Sequence, residues 1–356
     1  MFMDRFNYRA WVEPFTEMER RNNKEIFMIK KMNHAGIMPN YECTAACRHC
    51  LYACSPERAG GYMSEQVMHE VCGILNDCGC RSVHIGGGEP FLNFDGLLKL
   101  LRIANQYGIR IDYIETNASW VGDEALVKRR LKELRAAGAD TFCISVDPYH
   151  VEYVPLSKPL RLAKICAEYD FNYFLWQERF LSVMQNLDRE IPFSRAALEK
   201  IIGKNYVYDI ARAYGLHMGG RAINIEHEYI LPKQIVLTKT PCSGLLSGNH
   251  FHVDMYNRFI PPGCTGIAIE LKDAAYGLPP GKYPVFEALL NRGISGLYEY
   301  AIAKNYIPDE NGYTSACAMC FHIRKWLSEL GSCPELCKEH YTQSLRFYEE
   351  GSYDCN

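Results

Sequence analysis

Short apolar segments alternate with segments of helical periodicity along residues 34–222, and this alternation constrains the fold more than any other feature of the sequence. Alternation of this kind is typical of α/β proteins, in which helices connect parallel strands. It predicts six βα units with strands at residues 36–38, 81–85, 109–116, 141–146, 172–177 and 216–222. From residue 241 onward the rhythm stops and prolines and glycines become frequent, so the last third of the chain is expected to fold differently.

Capping residues predict where several helices begin and end. Ser64, Asp95 and Asp123 precede amphipathic segments and are predicted N-caps, because their side-chain oxygens accept hydrogen bonds from the first free N–H groups of a helix. Gly108 is predicted to end the second of these helices in a left-handed conformation. Residues 15–30 are predicted to form one further helix ahead of the first strand.

The composition is that of a soluble protein with a large core. Of the 356 residues 48% are hydrophobic, and the formal net charge is −3 with both signs mixed, which predicts no nucleic-acid partner. No apolar run is long enough to cross a membrane, so no membrane partner is expected. The first residues include Asp4, Arg5 and Arg9, where a signal peptide would need an apolar core. We therefore expect a cytoplasmic location.

Sixteen cysteines are the most unusual part of the composition. Without an export signal their close spacing favours metal binding over disulfides. Cys43, Cys47 and Cys50 form a C-x3-C-x2-C pattern after the first strand. Because thiolates are soft ligands, the pattern predicts either an iron–sulfur cluster or a zinc ion that takes His49 or Cys54 as its fourth ligand. A four-iron cluster held by three cysteines leaves one iron open to another ligand.

The cysteine triplet, followed one βα unit later by Gly86-Gly87-Gly88-Glu89-Pro90, resembles the radical S-adenosylmethionine (SAM) superfamily. The resemblance implies a partial (β/α)6 TIM-like barrel and a [4Fe–4S] cluster on Cys43, Cys47 and Cys50, whose open iron binds SAM. It also implies an external electron donor of the flavodoxin or ferredoxin type. Reduction then cleaves SAM to methionine and a 5′-deoxyadenosyl radical, which abstracts hydrogen from a substrate.

The same resemblance assigns SAM contacts to residues of the cysteine loop, the glycine turn and the ends of later strands. They are His49, Gly87, Gly88, Glu89, Pro90, Asn117, Ser145, Asp147 and Arg221. Each has an ordinary alternative. The glycines can form a tight βα turn, the polar residues can satisfy strand ends, and the histidine and arginine can be solvated surface side chains.

Side-chain alternation along two predicted strands identifies candidates for substrate contact or catalysis. Cys143 shares a strand face with Ser145 and Asp147, and Tyr113 shares one with Glu115 and Asn117; these polar faces should line the barrel. Tyr113, Glu115 and Cys143 would lie deeper than the SAM contacts. By resemblance to epimerases of the superfamily, the thiol of Cys143 or Cys54 can return hydrogen to a substrate, with ordinary packing as the alternative.

A second group of cysteines follows residue 241. Cys242 and Cys264 flank a predicted β-hairpin that turns at residues 257–258, and Cys317 and Cys320 open a predicted helix. This order resembles the twitch domain, a shortened relative of the SPASM domain, and implies a second [4Fe–4S] cluster on these four cysteines. Two alternatives stay open: a zinc site on Cys317, Cys320, Cys333 and Cys337, or a full SPASM set that adds Cys333, Cys337 and Cys355 and holds two auxiliary clusters.

These features divide the chain and suggest its chemistry. We expect an N-terminal extension over residues 1–33, a partial barrel over 34–230, and an auxiliary-cluster domain with tail over 231–356. The expected function is radical oxidation or epimerisation of a small polar molecule. The alternatives are maturation of a ribosomally made peptide and, from another class, a non-catalytic metal-binding scaffold.

Overall fold

A mostly parallel β-sheet forms the centre of the protein, seen here in a computed structural model that describes residues 18–21, 24–29, 31–58, 60–217 and 219–349. The strands in chain order are β1 (Met18–Arg21), β2 (Lys24–Phe27), β3 (Ala35–Met38), β4 (Ser82–Ile85), β5 (Arg110–Thr116), β6 (Thr141–Ser145), β7 (Asn172–Trp176), β8 (Phe251–Asp254), β9 (Arg258–Ile260) and β10 (Ile269–Glu270).

Helices follow most of the strands. They are α1 (Glu65–Asp77), α2 (Phe94–Gln106), α3 (Glu124–Ala136), α4 (Ser157–Glu168), α5 (Arg195–Ile201), α6 (Tyr206–Tyr214), α7 (Ile223–Tyr229), α8 (Leu271–Tyr276), α9 (Pro284–Ile302), α10 (Ala316–Glu329) and α11 (Lys338–Glu349). Along the described residues, no helix is both long and apolar enough to span a bilayer.

The order of strands in the main sheet is β10-β9-β8-β3-β4-β5-β6-β7. Strands β3 to β7 are mutually parallel, and the intervening connections carry helices α1 to α4, so the predicted α/β fold of partial-barrel type is confirmed. Side-chain alternation works as expected on β6. Phe142 and Ile144 are fully buried on one face, and Cys143 lies on the other.

The sixth predicted strand, residues 216–222, is wrong: none of its described residues is in a strand, and Gly220–Ala222 is a short 3-10 helix. Gly220 has φ = 53° and lies so close to the carbonyls of Cys50 and Leu51 that a Cβ there would clash with them. The segment therefore turns to pack beneath the cysteine loop instead of extending the sheet. The sixth parallel strand is β8, which joins the other side of β3.

The prediction for residues 15–30 is also wrong in its described part. β1 and β2 pair as an antiparallel hairpin, with Met18 opposite Phe27. Of the three predicted N-caps, Ser64 accepts a hydrogen bond from Val67 N and Asp123 accepts one from Leu126 N, as expected. The other predicted cap, Asp95, lies inside the first turn of α2, because a 3-10 turn (Pro90–Asn93) precedes that helix.

The predicted hairpin after residue 241 is confirmed. β8 and β9 pair antiparallel and are joined by a turn in which Asn257 has φ = 58°. Because β8 also pairs with β3, with Ala35 opposite Phe251, the hairpin continues the central sheet. The domain boundary near residue 230 stays a prediction, and most of the extension over residues 1–33 lies outside the described residues.

Candidate active site

The cysteine loop follows β3 and the glycine turn follows β4, so both lie at the C-terminal ends of neighbouring parallel strands. Their backbones are in direct contact: Gly88 N donates to Asn40 O at 3.0 Å, and Glu89 N donates to Glu42 O at 2.9 Å. A Cβ on Gly88 would overlap the Glu42 carbonyl. Glycine is therefore required here because the turn packs against the residues that precede Cys43.

Cys43 and Cys47 are buried in this loop, and Cys50 is half-buried. Burial raises the pKa of Cys43, and the neighbouring Cys47 and Glu89 charges raise it further. The pKa of Cys50 is lowered, first by a hydrogen bond with Cys54, whose backbone N also donates to Cys50 Sγ at 3.4 Å. The loop thus holds its three thiols near one another and away from bulk water.

The donor set of this loop suits an iron–sulfur cluster. Three thiolates are soft ligands of the kind that hold such clusters, which extend over several metal atoms. Zinc also accepts thiolates, so a zinc ion with His49 or Cys54 as its fourth ligand is still the alternative.

Arg221 is a buried residue of the 3-10 helix Gly220–Ala222, and it supports the cysteine loop. Its Nε donates to Cys47 O at 2.9 Å and its Nη2 donates to Cys54 O, while its backbone N donates to Cys50 O at 3.0 Å. The sequence predicted a SAM contact for this residue. In the structure its guanidinium donates hydrogen bonds to the loop that carries the cysteines, and the SAM contact stays a prediction.

Glu89 and Asn117 connect the glycine turn to the end of β5. The Glu89 carboxylate is buried and accepts hydrogen bonds from Phe91 N (3.2 Å), Asn117 N (2.9 Å) and Thr116 Oγ1 (3.0 Å). Burial raises the pKa of Glu89 to about 7 in spite of these bonds. The Asn117 amide nitrogen lies 3.5 Å from Cys43 Sγ and donates to Thr44 Oγ1 at 3.1 Å. Pro90 is buried and begins the 3-10 turn that follows.

His49 lies in an aromatic and acidic surrounding near the end of β6. Its ring stacks on Tyr149 at 4.8 Å between centroids, and its Nε2 is 3.8 Å from Asp147 Oδ2. Burial lowers the pKa of His49 to about 4. Asp147 is fully buried, and burial by itself would raise its pKa. His150 and His49 outweigh burial and lower the pKa of Asp147 to about 2.

His150 is a site residue that sequence reasoning missed. Its Nδ1 is 2.8 Å from Asp147 Oδ2, and its ring meets His49 edge-on at 5.1 Å. Burial by itself lowers the pKa of His150, but Asp147 and then Cys47 raise it well above its ordinary value. One sequence signal could have identified His150: it follows Asp147 by three residues, in the turn after a strand, where the two side chains can meet.

The polar face of the sheet carries the remaining candidates. Tyr113 stacks on His84 at 4.9 Å, and Cys143 is the register partner of Glu115 across β5 and β6. The Glu115 side chain is 44% exposed, yet desolvation and the Cys50 charge raise its pKa to about 7. Ser145 ends β6, half-buried. These groups lie on successive levels of one face, as the alternation predicted.

The four predicted auxiliary cysteines lie near enough to one another for their charges to interact. Burial raises the pKa of Cys242 to about 11, and the neighbouring thiols of Cys320 and Cys317 contribute to this rise. Burial raises the pKa of Cys264 to about 12. The nearby thiols of Cys320, Cys242 and Cys317 also raise it. Arg324 lies beside the group, with its Nε donating to Cys320 O at 3.3 Å. Ser315 caps α10, so that Cys317 and Cys320 occupy its first turns.

The other C-terminal cysteines have different neighbours. Cys333 is buried with its sulfur 3.7 Å from the Tyr300 hydroxyl. Burial raises the pKa of Cys337. Of its neighbours, Arg258 lowers this pKa and Asp254 raises it. Cys355 lies outside the described residues. The described surroundings of Cys333 and Cys337 thus differ from those of Cys317 and Cys320.

Comparison with known proteins relates this arrangement to one family. Residues 37–189 match the family model of the Radical SAM superfamily. A putative peptide biosynthesis protein YydG of Bacillus subtilis (strain 168) is 26% identical over 115 residues, which are 32% of this chain and 36% of that protein. A probable GTP 3′,8-cyclase of Methanothermobacter marburgensis is 27% identical over 105 residues, 30% of this chain and 32% of that protein. The chain thus spans about a third of the length of these curated relatives.

A solved structure, native anSMEcpe with bound AdoMet, is also similar. It is 14% identical and covers 64% of this chain and 73% of its own, with a TM-score of 0.36.

Proposed function

We propose, from the premise that this chain is a member of the radical SAM superfamily over residues 37–189, that it is an enzyme which binds SAM at a [4Fe–4S] cluster held by Cys43, Cys47 and Cys50. The observation that carries the proposal is the direct contact between the cysteine loop and the glycine turn at the C-terminal ends of β3 and β4. Barrel enzymes carry their chemistry at this end of the strands. When bound, the cluster and SAM supply a 5′-deoxyadenosyl radical that abstracts hydrogen from a substrate.

The residues around the loop have two roles, positioning the loop and facing SAM, and Asn117 has both. Arg221 fixes two loop carbonyls, and Asn117 contacts both Cys43 and Thr44, so both keep the cysteines in place. We assign SAM binding to the residues that line the strand ends beside the loop: His49, Gly87, Gly88, Glu89, Pro90, Asn117, Ser145 and Asp147. His150 joins this set through its contact with Asp147.

The substrate of the first candidate function is a small polar molecule, such as an aminosugar, that is oxidised or epimerised. Glu115 and Tyr113 present polar groups below the cysteine loop on the same face. Burial raises the pKa of Cys143, and the Glu115 charge raises it further, so the thiol keeps its hydrogen at neutral pH. In an epimerisation the S–H hydrogen atom passes to the substrate carbon radical, and one electron and one proton from the external donor and solvent restore the thiol.

Maturation of a ribosomally made peptide is the second candidate function. The relative described as a putative peptide biosynthesis protein supports it. The two candidates differ in what accelerates SAM cleavage: a panel of aminosugars should raise the rate of 5′-deoxyadenosine formation under the first, and short peptides should raise it under the second. In D2O, epimerisation through Cys143 should place deuterium at the inverted carbon, and Cys143→Ala should abolish that incorporation while 5′-deoxyadenosine still forms.

A second [4Fe–4S] cluster on Cys242, Cys264, Cys317 and Cys320 is part of the proposal. Their mutual influence on one another's pKa supports a common centre. With all its irons bound by protein, such a cluster has no open position for substrate, so we assign it electron transfer. Its electrons come from, or pass to, the external donor of flavodoxin or ferredoxin type.

The enzyme proposal is tested by anaerobic incubation with SAM and dithionite, with 5′-deoxyadenosine measured by mass spectrometry. Wild type should form it and Cys47→Ala should not. Cys72→Ala, which removes a buried thiol from α1, should behave like wild type. If wild type with intact clusters forms none, the enzyme proposal is overturned and the metal-binding scaffold takes its place.

A further inference from the structure

Four histidines from three segments meet where β3, β4 and β8 lie side by side, on the sheet face that also carries Tyr113. His34 precedes β3, His84 lies in β4, and His250 and His252 lie at the start of β8. The parallel register aligns them, because Gly36 is paired with His84 on one side and with His252 on the other. This histidine cluster borders the cysteine loop, since the ring centroid of Tyr52 lies 5.0 Å from that of His252, and the sequence motifs do not include it.

The ring nitrogens of the cluster are close together. One nitrogen from each of His34, His84 and His250 lies within 4.8 Å of the other two. His34 Nε2 is 3.0 Å from His84 Nδ1, and His84 Nε2 is 3.2 Å from His252 Nε2. The rings of His34, His84 and His250 stack pairwise with centroids 5.2 to 5.4 Å apart.

Gly36 leaves the space that these rings occupy. A Cβ at this position would lie 2.5 Å from His84 Nε2 and 2.5 Å from His252 Nε2. Since β3 runs between β4 and β8, any larger residue at position 36 would push both imidazoles outward. The absence of a side chain in the middle strand thus lets histidines from the two flanking strands converge.

The cluster has the chemistry of a metal-ligand set. A neutral imidazole offers a nitrogen lone pair and is the commonest metal ligand in proteins, and His84 is almost fully buried among the other rings. His34 Nδ1 lies 3.3 Å from Asp112 Oδ2, which leaves Nε2 directed at the other rings. A carboxylate on the outer nitrogen is the usual support of a metal-bound histidine. The Asp112 side chain is 27% exposed, which opens a route to solvent.

We propose that the histidine cluster binds one divalent transition-metal ion of the zinc class through His34, His84 and His250. Three imidazoles suit Zn²⁺ and Co²⁺, whereas iron–sulfur clusters need thiolates, so this site is separate from both cysteine groups. A water molecule or His252 completes the coordination. The ion joins β3, β4 and β8, and therefore fastens the C-terminal hairpin to the barrel strands.

The site is tested on full-length protein purified anaerobically with its iron–sulfur clusters fully loaded, so that cysteines do not take up the probe. Wild type should bind about one Zn²⁺ or Co²⁺ per chain beyond its iron, and X-ray absorption at the zinc edge should show nitrogen and oxygen neighbours without sulfur. The double variant His34→Gln/His250→Gln should lose this ion and keep its iron. His69→Gln, on α1, is the matched control and should keep both. Asp112→Asn should weaken Co²⁺ binding about 10- to 100-fold.

Three results would overturn the proposal: no Zn²⁺ or Co²⁺ bound below millimolar concentration, sulfur among the neighbours of the bound ion, or full retention of the ion by the double variant. If the double variant does not fold, the wild-type stoichiometry and absorption spectrum decide the question by themselves. The test does not depend on SAM cleavage, so the site can stand or fall apart from the proposed enzyme activity.

Discussion

At the scale of single residues, the cysteine loop depends on neighbours outside its own motif. Gly88 touches the loop through its backbone, and Arg221 donates to the carbonyls of Cys47 and Cys54. The sequence identified both residues but predicted that they contact SAM. It could not reveal the contacts with the loop, because they join positions far apart in the chain.

We predict that Gly88→Ala lowers the thermal midpoint and the iron content of the protein. The new Cβ would overlap the Glu42 carbonyl, a backbone atom that cannot rotate away, and overpacking of this kind costs about 1–3 kcal/mol. Gly73→Ala in α1 is the matched control, since the nearest atom to its Cβ is 3.7 Å away. There alanine should stabilise the helix by about 0.5–1 kcal/mol. Equal iron content in the two variants would contradict the prediction.

We predict that Arg221→Met destabilises the protein and weakens cluster retention. Methionine fills much of the buried volume but leaves the carbonyls of Cys47 and Cys54 without their donor, at about 1–3 kcal/mol each. Arg102→Met, on an exposed part of α2, should change little. Thermal unfolding and iron analysis of the anaerobic proteins measure both effects. If Arg221→Met keeps its iron content and its thermal midpoint, the cysteine loop does not depend on the hydrogen bonds from Arg221.

At the scale of elements, local signals predicted most strands and helices, but they did not predict which residues cap the N-termini of α2 and α9. Strands β4 to β7 agree with the alternation, because each carries its own apolar pattern. Asp95 was predicted to cap α2, yet Asn93 Oδ1 accepts the bond from Gly96 N at 2.9 Å. The N-terminus of α9 has a cap from a distant segment: Glu335 accepts from Val285 N (2.6 Å) and Phe286 N (3.2 Å), which no local pattern can show.

We predict that Glu335→Gln stabilises the protein, and more so at pH 8 than near pH 5. Burial raises the pKa of Glu335 above its ordinary value of about 4.5, and its buried Oε2 has no hydrogen-bond partner among the residues that the structure describes. The ionised form therefore destabilises the folded state, a penalty that is complete above the raised pKa and disappears as pH falls toward 4.5. Glutamine keeps the acceptor oxygen and removes the charge.

Urea unfolding of wild type and Glu335→Gln across this pH range measures the difference. Glu190→Gln, at an exposed position, should show no such pH-dependent gain. A constant difference between wild type and Glu335→Gln at all pH values, or a loss of stability at pH 8, would contradict the assignment.

At the scale of the whole molecule, the N-terminal and C-terminal parts share one sheet. The sequence predicted both the βα region and the hairpin, but it placed a sixth strand at residues 216–222 and a boundary near residue 230. Pairing between β3 and β8 depends on a long-range choice of partner that no local pattern encodes. The histidine cluster was missed for the same reason, since His250 and His252 reach His34 and His84 only through this pairing.

We predict that the double variant Cys242→Ala/Cys264→Ala loses about four of about eight irons and still cleaves SAM, because the first cluster depends on a different loop. Cys333→Ala should keep all of its iron, since its sulfur contacts Tyr300. Iron and 5′-deoxyadenosine are measured on the same anaerobic samples. Loss of iron in Cys333→Ala would favour a centre that includes that residue.

The partnership of β3 and β8 also has a consequence for synthesis of the chain. Ala35 and its partner Phe251 are 216 positions apart (251 minus 35), so the edge of β3 leaves the ribosome long before its partner. At about 5–20 residues per second the delay is roughly 10–40 seconds. During this time an unpaired apolar edge is open to other nascent chains. Slowing translation between codons 40 and 250 should therefore increase aggregation during expression, and a holding chaperone that shields this edge should reduce it.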